Sequence, residues 1–362
     1  MASVREIARK AGVSTCTVSR ALNNHPAVRQ ETRDMVQAVA NGMGYRGGGA
    51  RRVHTAVGLA HTADRTLSSV YDAHLVEGIV RGLEECRFDL SIINIMRDKS
   101  RDESYNQFFT RRGVSGVILR TTAETRHVCE EIADENFPMI VVGERFDAPN
   151  VSYIDCDTSA DSARAVQYLV DLGHRRIAFA MHVVPDRDHI DRFDAYRRVL
   201  AENGLAFDER LVFRIRSDLA GGATVTNMLA TMEDPPTAVY AADPLLAVGV
   251  AKRAYQLGIH IPRDLSVIGI DDAQVRYSVP PTLTAVCQDA ATLGAEAASY
   301  LARTITGRVV GPLRKSVPSF FEVHNSTASP REGGRLTLAE GGANGGDVRP
   351  RDDQSEDPSG QV

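Results

Sequence analysis

The chain has 362 residues, 43% of them hydrophobic and 25% charged, with a formal net charge of −5. That length exceeds a usual single domain, and the composition is that of a globular protein with ample core. No run approaches the roughly 18 apolar residues of a membrane span, and the five cysteines are scattered without a Cys-x-x-Cys pair or a zinc-ligand spacing.

The opening Met-Ala-Ser-Val-Arg-Glu lacks a basic stretch followed by an apolar run, so the expectation is a cytoplasmic protein with reduced thiols. Charge is unevenly spread. Residues 1–54 hold nine Lys and Arg against three Asp and Glu, a surplus of +6 that leaves −11 for the rest. A basic head on an acidic body points to a polyanionic partner for the head.

Three short helices are predicted first. Ser3-Val4-Arg5-Glu6 is a capping box, and Val4, Ile7, Ala8 and Ala11 form one helical face. Gly12 supplies the left-handed residue that ends this helix. Ser14 caps a second helix striped by Val18, Ala21 and Leu22, and a third runs from about Gln30 to Asn41 with Val36, Val39, Ala40 and Met43 on its face. Two short helices separated by a glycine turn, closed by a third, make a helix-turn-helix domain over residues 1–45. Residues 46–56 are a glycine-rich basic linker.

From Val57 apolar runs suited to buried strands (57–60, 90–95, 117–119, 139–142, 177–180, 238–241, 267–270) alternate with helical stretches (72–86, 125–135, 159–172, 190–203, 244–257, 289–305). Such alternation builds parallel sheets covered on both faces. The segment 57–325 is too long for one sheet of these strands, so two doubly wound lobes are expected. Residues 326–362, rich in glycine and charge, are expected to be a disordered tail.

The segment from Val4 to Asn23, continued by Glu31-Thr32-Arg33 and Gly44-Tyr45, resembles the DNA-binding head of the lactose-repressor (LacI) family. Val114–Leu119, Leu172–Ala178, Leu265–Asp272 and Pro281–Thr284 are similar to that family's sensor landmarks, in order. The resemblance covers residues 3–325 and implies a periplasmic-binding-protein-like α/β body of two lobes. It also implies homodimerisation, binding to double-stranded operator DNA, and control by a small sugar-like effector, with repression the commoner outcome.

In a helix-turn-helix the second helix enters the major groove and its first residues meet base edges. Here these are Thr15 and Cys16, with Arg20 a turn later and able to grip guanine. Ser14, Thr17, Ser19, Asn23 and Thr32 match family positions that hold phosphates, contacts that fix register. After Tyr45 the family's Pro-Asn and hinge-helix Leu are replaced by Arg46-Gly-Gly-Gly-Ala-Arg-Arg-Val-His54. Three glycines argue against a hinge helix, and Arg51 and Arg52 are left to reach the minor groove or phosphates, so coupling between body and head is expected to be altered.

Carried over by position, the effector-facing residues are Glu144, Arg192, Asp271 and Gln288, with Arg120 and Tyr71. Carboxylates and arginines grip hydroxyls through charge-assisted hydrogen bonds. Ala242 stands where the family often has Asn, so no particular sugar is implied. His174 is read as structural, and neither Gly47–Gly49 nor Gly221-Gly222 matches a phosphate loop; no cofactor or metal is expected. Three other readings stand beside this one: a transport-type sugar-binding protein, an enzyme on an α/β scaffold, and a regulator whose body answers to a protein partner instead of a ligand.

Overall fold

The computed structural model describes residues 3–22, 25, 27–43, 45, 56–63, 69–332 and 336. The head holds α1 (Val4–Ala11), α2 (Thr15–Leu22) and α3 (Gln30–Gly42). The Ser3 amide donates to the Glu6 carboxylate at 2.8 Å while the Ser3 hydroxyl accepts from the Glu6 amide at 3.3 Å, the expected capping box. Gly12 ends α1 at φ +67°, and the Ser14 hydroxyl accepts from the Thr17 amide at 3.0 Å to start α2. Ile7, Ala8, Ala11, Val18, Ala21, Val28, Val36 and Ala40 close one small core.

From residue 56 strands and helices alternate: β1 (Ala56–His61), α4 (Val70–Glu84), β2 (Asp89–Asn94), α5 (Ile95–Asp98), α6 (Tyr105–Arg111), β3 (Val114–Arg120), α7 (Arg126–Asp134), β4 (Met139–Val142) and β5 (Tyr153–Asp157). Next come α8 (Ser159–Asp171), β6 (Ile177–His182), α9 (Arg187–Glu202), β7 (Val212–Ile215), α10 (Leu219–Thr231), β8 (Ala238–Ala241), α11 (Pro244–Gln256), β9 (Ser266–Asp271) and β10 (Thr284–Cys287). Helix α12 (Ala290–Ile305) and strands β11 (Arg314–Pro318) and β12 (Phe320–Glu322) complete the body.

The strands form two six-stranded sheets, ordered β11-β5-β4-β3-β1-β2 in the first lobe and β12-β10-β9-β8-β6-β7 in the second. Among the described strands all pairs are parallel except β10 with β12, so the second sheet departs from the purely parallel one expected. Chain crossings explain this. The chain leaves lobe one at Thr158, returns to it at Gln288–Asp289, and crosses again at Ser319, where β11 of one sheet gives way to β12 of the other. These crossings are tied together: Ser319 donates to the Asp157 carbonyl at 3.1 Å and to Asp161 at 2.7 Å.

Five strands (β5, β7, β10, β11 and β12) and helices α5, α6 and α10 were not among the stretches named from the sequence pattern. β7, β11 and β12 are short edge strands, and none contains a run of four apolar residues: Arg214 interrupts β7, β11 opens Arg314-Lys315-Ser316, and β12 has three residues. Gly221 and Gly222, poor helix formers, are in α10 because it packs backbone to backbone on α11: a Cβ on Gly222 would stand 2.4 Å from the Leu246 carbonyl oxygen. Part of the segment expected to be tail is packed against the body. Residues 326–332 lie along lobe two, where Ser326 bonds to Val267 and Thr284 and the Ala328 carbonyl accepts from His174 at 2.9 Å. Leu336 is buried in that lobe's core, while residues 337–362 lie outside the described part.

Helices α4 and α12 approach as closely in lobe one. A Cβ on Gly78 would sit 1.9 Å from the Ala291 carbonyl oxygen, and one on Gly294 2.3 Å from that of Leu75. No rotamer relieves a clash with backbone. Gly78→Val is expected to cost at least about 2–3 kcal/mol, read as a lowered urea midpoint with far-ultraviolet dichroism otherwise preserved.

Candidate functional site

Two surfaces carry the candidate residues. On the head, α2 buries Val18 and Ala21 and turns Ser14, Thr15, Cys16, Ser19 and Arg20 outward; Thr17 and Thr32 are half-buried beside them. Arg33 fastens the turn before α3, its guanidinium donating to the His25 and Val28 carbonyls at 3.3 and 3.2 Å. Arg5, Arg9 and Lys10 are exposed on α1, so the outward face is basic. Asn23, Arg51 and Arg52, together with most of the linker, lie outside the described residues.

The second surface is a cleft of about 610 Å³ between the lobes, a volume suited to a small ligand. Its walls are the carboxyl ends of strands and the first turns of the helices that follow, the place where open α/β sheets bind ligands. Tyr71, Arg120, Arg192 and Gln288 line it as expected.

Arg192, 3% exposed, is held at the first crossing and by its own lobe: Nε donates to Thr158 Oγ1 at 3.2 Å and Nη1 to the Ala242 carbonyl at 3.1 Å. Its Nη2 has no hydrogen bond and faces Asp188 at 3.6 Å. Arg120 lies 4.4 Å over the Tyr71 ring, and its Nε faces Asp72 at 3.7 Å. It lies where a side chain at Gly143 would go: a Cβ there would meet Arg120 Nη1 at 2.5 Å, and Gly143 holds φ +79°.

Two expected residues do not line the cleft. Past Gly143 the chain turns so that Glu144 is buried against Arg126, at 2.8 Å, and accepts from the Arg145 amide; burial raises its pKa. Asp271 caps the turn after β9, accepting from the Ala273 and Val275 amides at 3.1 and 2.8 Å and pairing with Arg276. Its neighbour Asp272 takes the cleft position, since successive strand residues face opposite ways. Gln288 donates to Asp272 at 2.6 Å and leaves its own Oε1 without a partner.

Sequence reasoning missed every acid that lines the cleft: Asp72, Glu124, Asp186, Asp188, Asp218, Asp243 and Asp272. Several sit at or just inside helix starts after strands, where an acid reads as an ordinary cap. His189 was missed as well. Its Nδ1 meets Asp186 at 2.5 Å and its Nε2 meets Asp243 Oδ2 at 2.9 Å, an oxygen that also accepts from Ser217. Burial opposes charge on this ring, but Asp186 and Asp243 outweigh it and push the pKa up to about 10. The same imidazolium outweighs burial at Asp186 and holds it well below the carboxylate range. His174 is structural, bonded to Thr237 at 2.7 Å and to the Ala328 carbonyl, with burial lowering its pKa. Among the described residues no His, Cys, Asp and Glu cluster is arranged to hold a metal, and no helix is long and apolar enough to cross a membrane.

Residues 3–47 match the bacterial regulatory proteins of the lacI family, and residues 166–322 match a periplasmic binding protein-like domain. The chain belongs to the lacI family. This lacI-family chain is 28% identical to the transcriptional regulator DegA of Bacillus subtilis over 338 residues, covering 90% of this chain and 98% of that protein. It is 26% identical to catabolite control protein A of Priestia megaterium, covering 90% and 99%. Among solved structures, the transcriptional regulator CelR–cellobiose complex superposes with a TM-score of 0.64 at 26% identity, covering 90% of this chain and all of that one. As a lacI-family member the protein is a DNA-binding transcriptional regulator.

The His189 ion pair has a defined pH signature. The ordinary pKa is 6.5 and the folded one about 10. Its contribution to stability is complete below 6.5 and lost as pH rises through 10. Thermal midpoints between pH 7 and 10 are therefore expected to fall more steeply for the native protein than for His189→Gln.

Proposed function

We propose that this regulator binds near-palindromic operator DNA as a homodimer, and that a polyhydroxyl, sugar-like effector in the interlobe cleft sets its DNA affinity. The carrying observation is the set of unmet hydrogen-bonding groups. Arg192 Nη2, Arg120 Nε, Asp72 Oδ1 and Gln288 Oε1 are all buried, all belong to cleft residues, and have no hydrogen-bond partner among the described residues. Buried polar groups are costly unpaired, and a ligand with hydroxyls supplies both the donors and the acceptors they need. Relatives support the ligand class: CelR is recorded with cellobiose, and a lacI-family regulator of Enterococcus faecium, 25% identical with a TM-score of 0.65, with ribose.

The protein acts by binding, without catalysis, and repression is the expected sign. Dimerisation is supported by exposed apolar side chains on both lobes, Ile92 and Met96 on the first and Met228 and Tyr255 on the second. Effector closure of the lobes would alter the spacing of the two heads, and linkage requires operator binding to shift effector affinity by the same factor.

Selection from a random duplex pool is expected to return a two-fold-symmetric site with guanine at a fixed position. Arg20→Ala should weaken binding to it by about 1–3 kcal/mol and relax that position alone. A thermal-shift screen of neutral mono- and disaccharides tests the cleft. Arg192→Ala should abolish both the shift and the change in DNA affinity, and an unchanged shift overturns the assignment of Arg192.

A further inference from the structure

The cleft carries more negative charge than its cations match. Seven carboxylates line it, against three guanidinium groups and the His189 imidazolium. Of the seven, Glu124 is exposed to solvent, and the other six are matched unevenly. Arg120 faces Asp72 at 3.7 Å, with His61 also 3.9 Å from that carboxylate, Arg192 faces Asp188 at 3.6 Å, and Arg216 pairs with Asp218 at 3.2 Å. His189 is shared between Asp186 and Asp243, so one of those two negative charges is unmatched. Asp272, 7% exposed, has no cation within 4 Å among the described residues; what holds it is the Gln288 amide.

A second observation shows that the surplus faces a ligand. Gln288 Oε1 and Asp72 Oδ1 are acceptors without hydrogen bonds, on residues 7% and 5% exposed that line the cleft from either side. The charges converge as well: the carboxylates of Asp188, Asp272 and Asp72 are all felt at the Tyr71 hydroxyl, whose pKa burial and these acids raise.

We propose that the effector carries a protonated amine on its polyhydroxyl skeleton, and that Asp272, with Asp188 and Asp72, selects it over neutral and anionic analogues. This rests on the reading that the cleft is the effector site. A neutral sugar would satisfy the orphaned acceptors but leave the surplus charge buried. An anion would meet arginines that already face an Asp, and would add to the surplus. An ammonium group supplies up to three donors and the missing charge at once.

Proton binding by the cleft acids agrees. Burial, aided by Asp186, outweighs Arg192 and raises Asp188 to about 7; burial, aided by Asp243 and Asp271, outweighs Arg192 and Gln288 and raises Asp272 to about 6. An ammonium ligand would reverse these shifts and expel protons.

The test is calorimetric titration of the full-length protein with matched trios: glucosamine, glucose and glucuronate, and the galacto and manno equivalents. The expected result is one amine bound at least about tenfold more tightly than its neutral parent, no binding of the acids, and proton release at pH 6.5 seen as a buffer-dependent heat. Asp272→Asn should raise the unfolding temperature of the unliganded protein at pH 7.5 and erase the preference for the amine. A neutral parent bound as tightly as its amine overturns the charge assignment and leaves the effector reading intact; so does a bound acid. A blank across all trios overturns both. An Asp272→Asn variant that is less stable than the native protein at pH 7.5 shows that no surplus is buried there, and overturns the proposal without any ligand.

Discussion

A guanidinium group sealed at the boundary of two lobes must have its donors met, and the way Arg192 meets them organises the body of this protein. One nitrogen reaches Thr158, where the chain first leaves lobe one, and another reaches the carbonyl of Ala242 at the end of β8. The third is left toward the cleft, opposite Asp188. The same side chain therefore anchors a crossing strand, the mouth of the second sheet and the ligand space. Gln288 repeats the arrangement at the second crossing, where it holds Asp272 and keeps a free carbonyl in the cleft. Groups that would sense a ligand are thus bonded directly into the segments about which the lobes turn, the requirement for a ligand with differential affinity to move a two-state equilibrium.

The two ends of the molecule solve opposite electrostatic problems. The head exposes arginines and lysine to a polyanion, where each phosphate contact is exchanged against released counterions and salt sets the affinity. The body buries carboxylates in a partly closed cleft, where screening is weak and pairing has to be local. A compact His189 bridge between Asp186 and Asp243 fixes the start of α9 to that of α11, and so ties together two elements of the cleft's second wall.

What the sequence revealed depended on how local each decision was. The head was legible because Ser3, Glu6, Gly12 and Ser14 act within a turn of chain. Tyr71, Arg120, Arg192 and Gln288 were placed in the cleft by family position. Glu144 and Asp271 were misplaced by one step of backbone: the positive φ of Gly143 and the tight turn after Asp271 decide which side of a strand end meets solvent, and a one-residue slip exchanges the faces. The acids of the cleft stayed hidden because capping is a sufficient local reason for an Asp at a helix start. Strands β11 and β12 were invisible because their partners lie far away in sequence, Arg314 opposite Tyr153 and Phe320 opposite Cys287.

The three crossings have a consequence for biosynthesis. Neither lobe is a continuous stretch of chain. The first sheet lacks its β11 edge, and the helix pair α4–α12 lacks its second member, until synthesis has passed through nearly all of lobe two. An emerging chain would hold the apolar face of α4 uncovered while the second lobe is still being made, and contacts of such long sequence separation are slow to close. Chaperone demand should thus centre on lobe one. For the same reason neither lobe can be excised as a single continuous fragment, although the head can be.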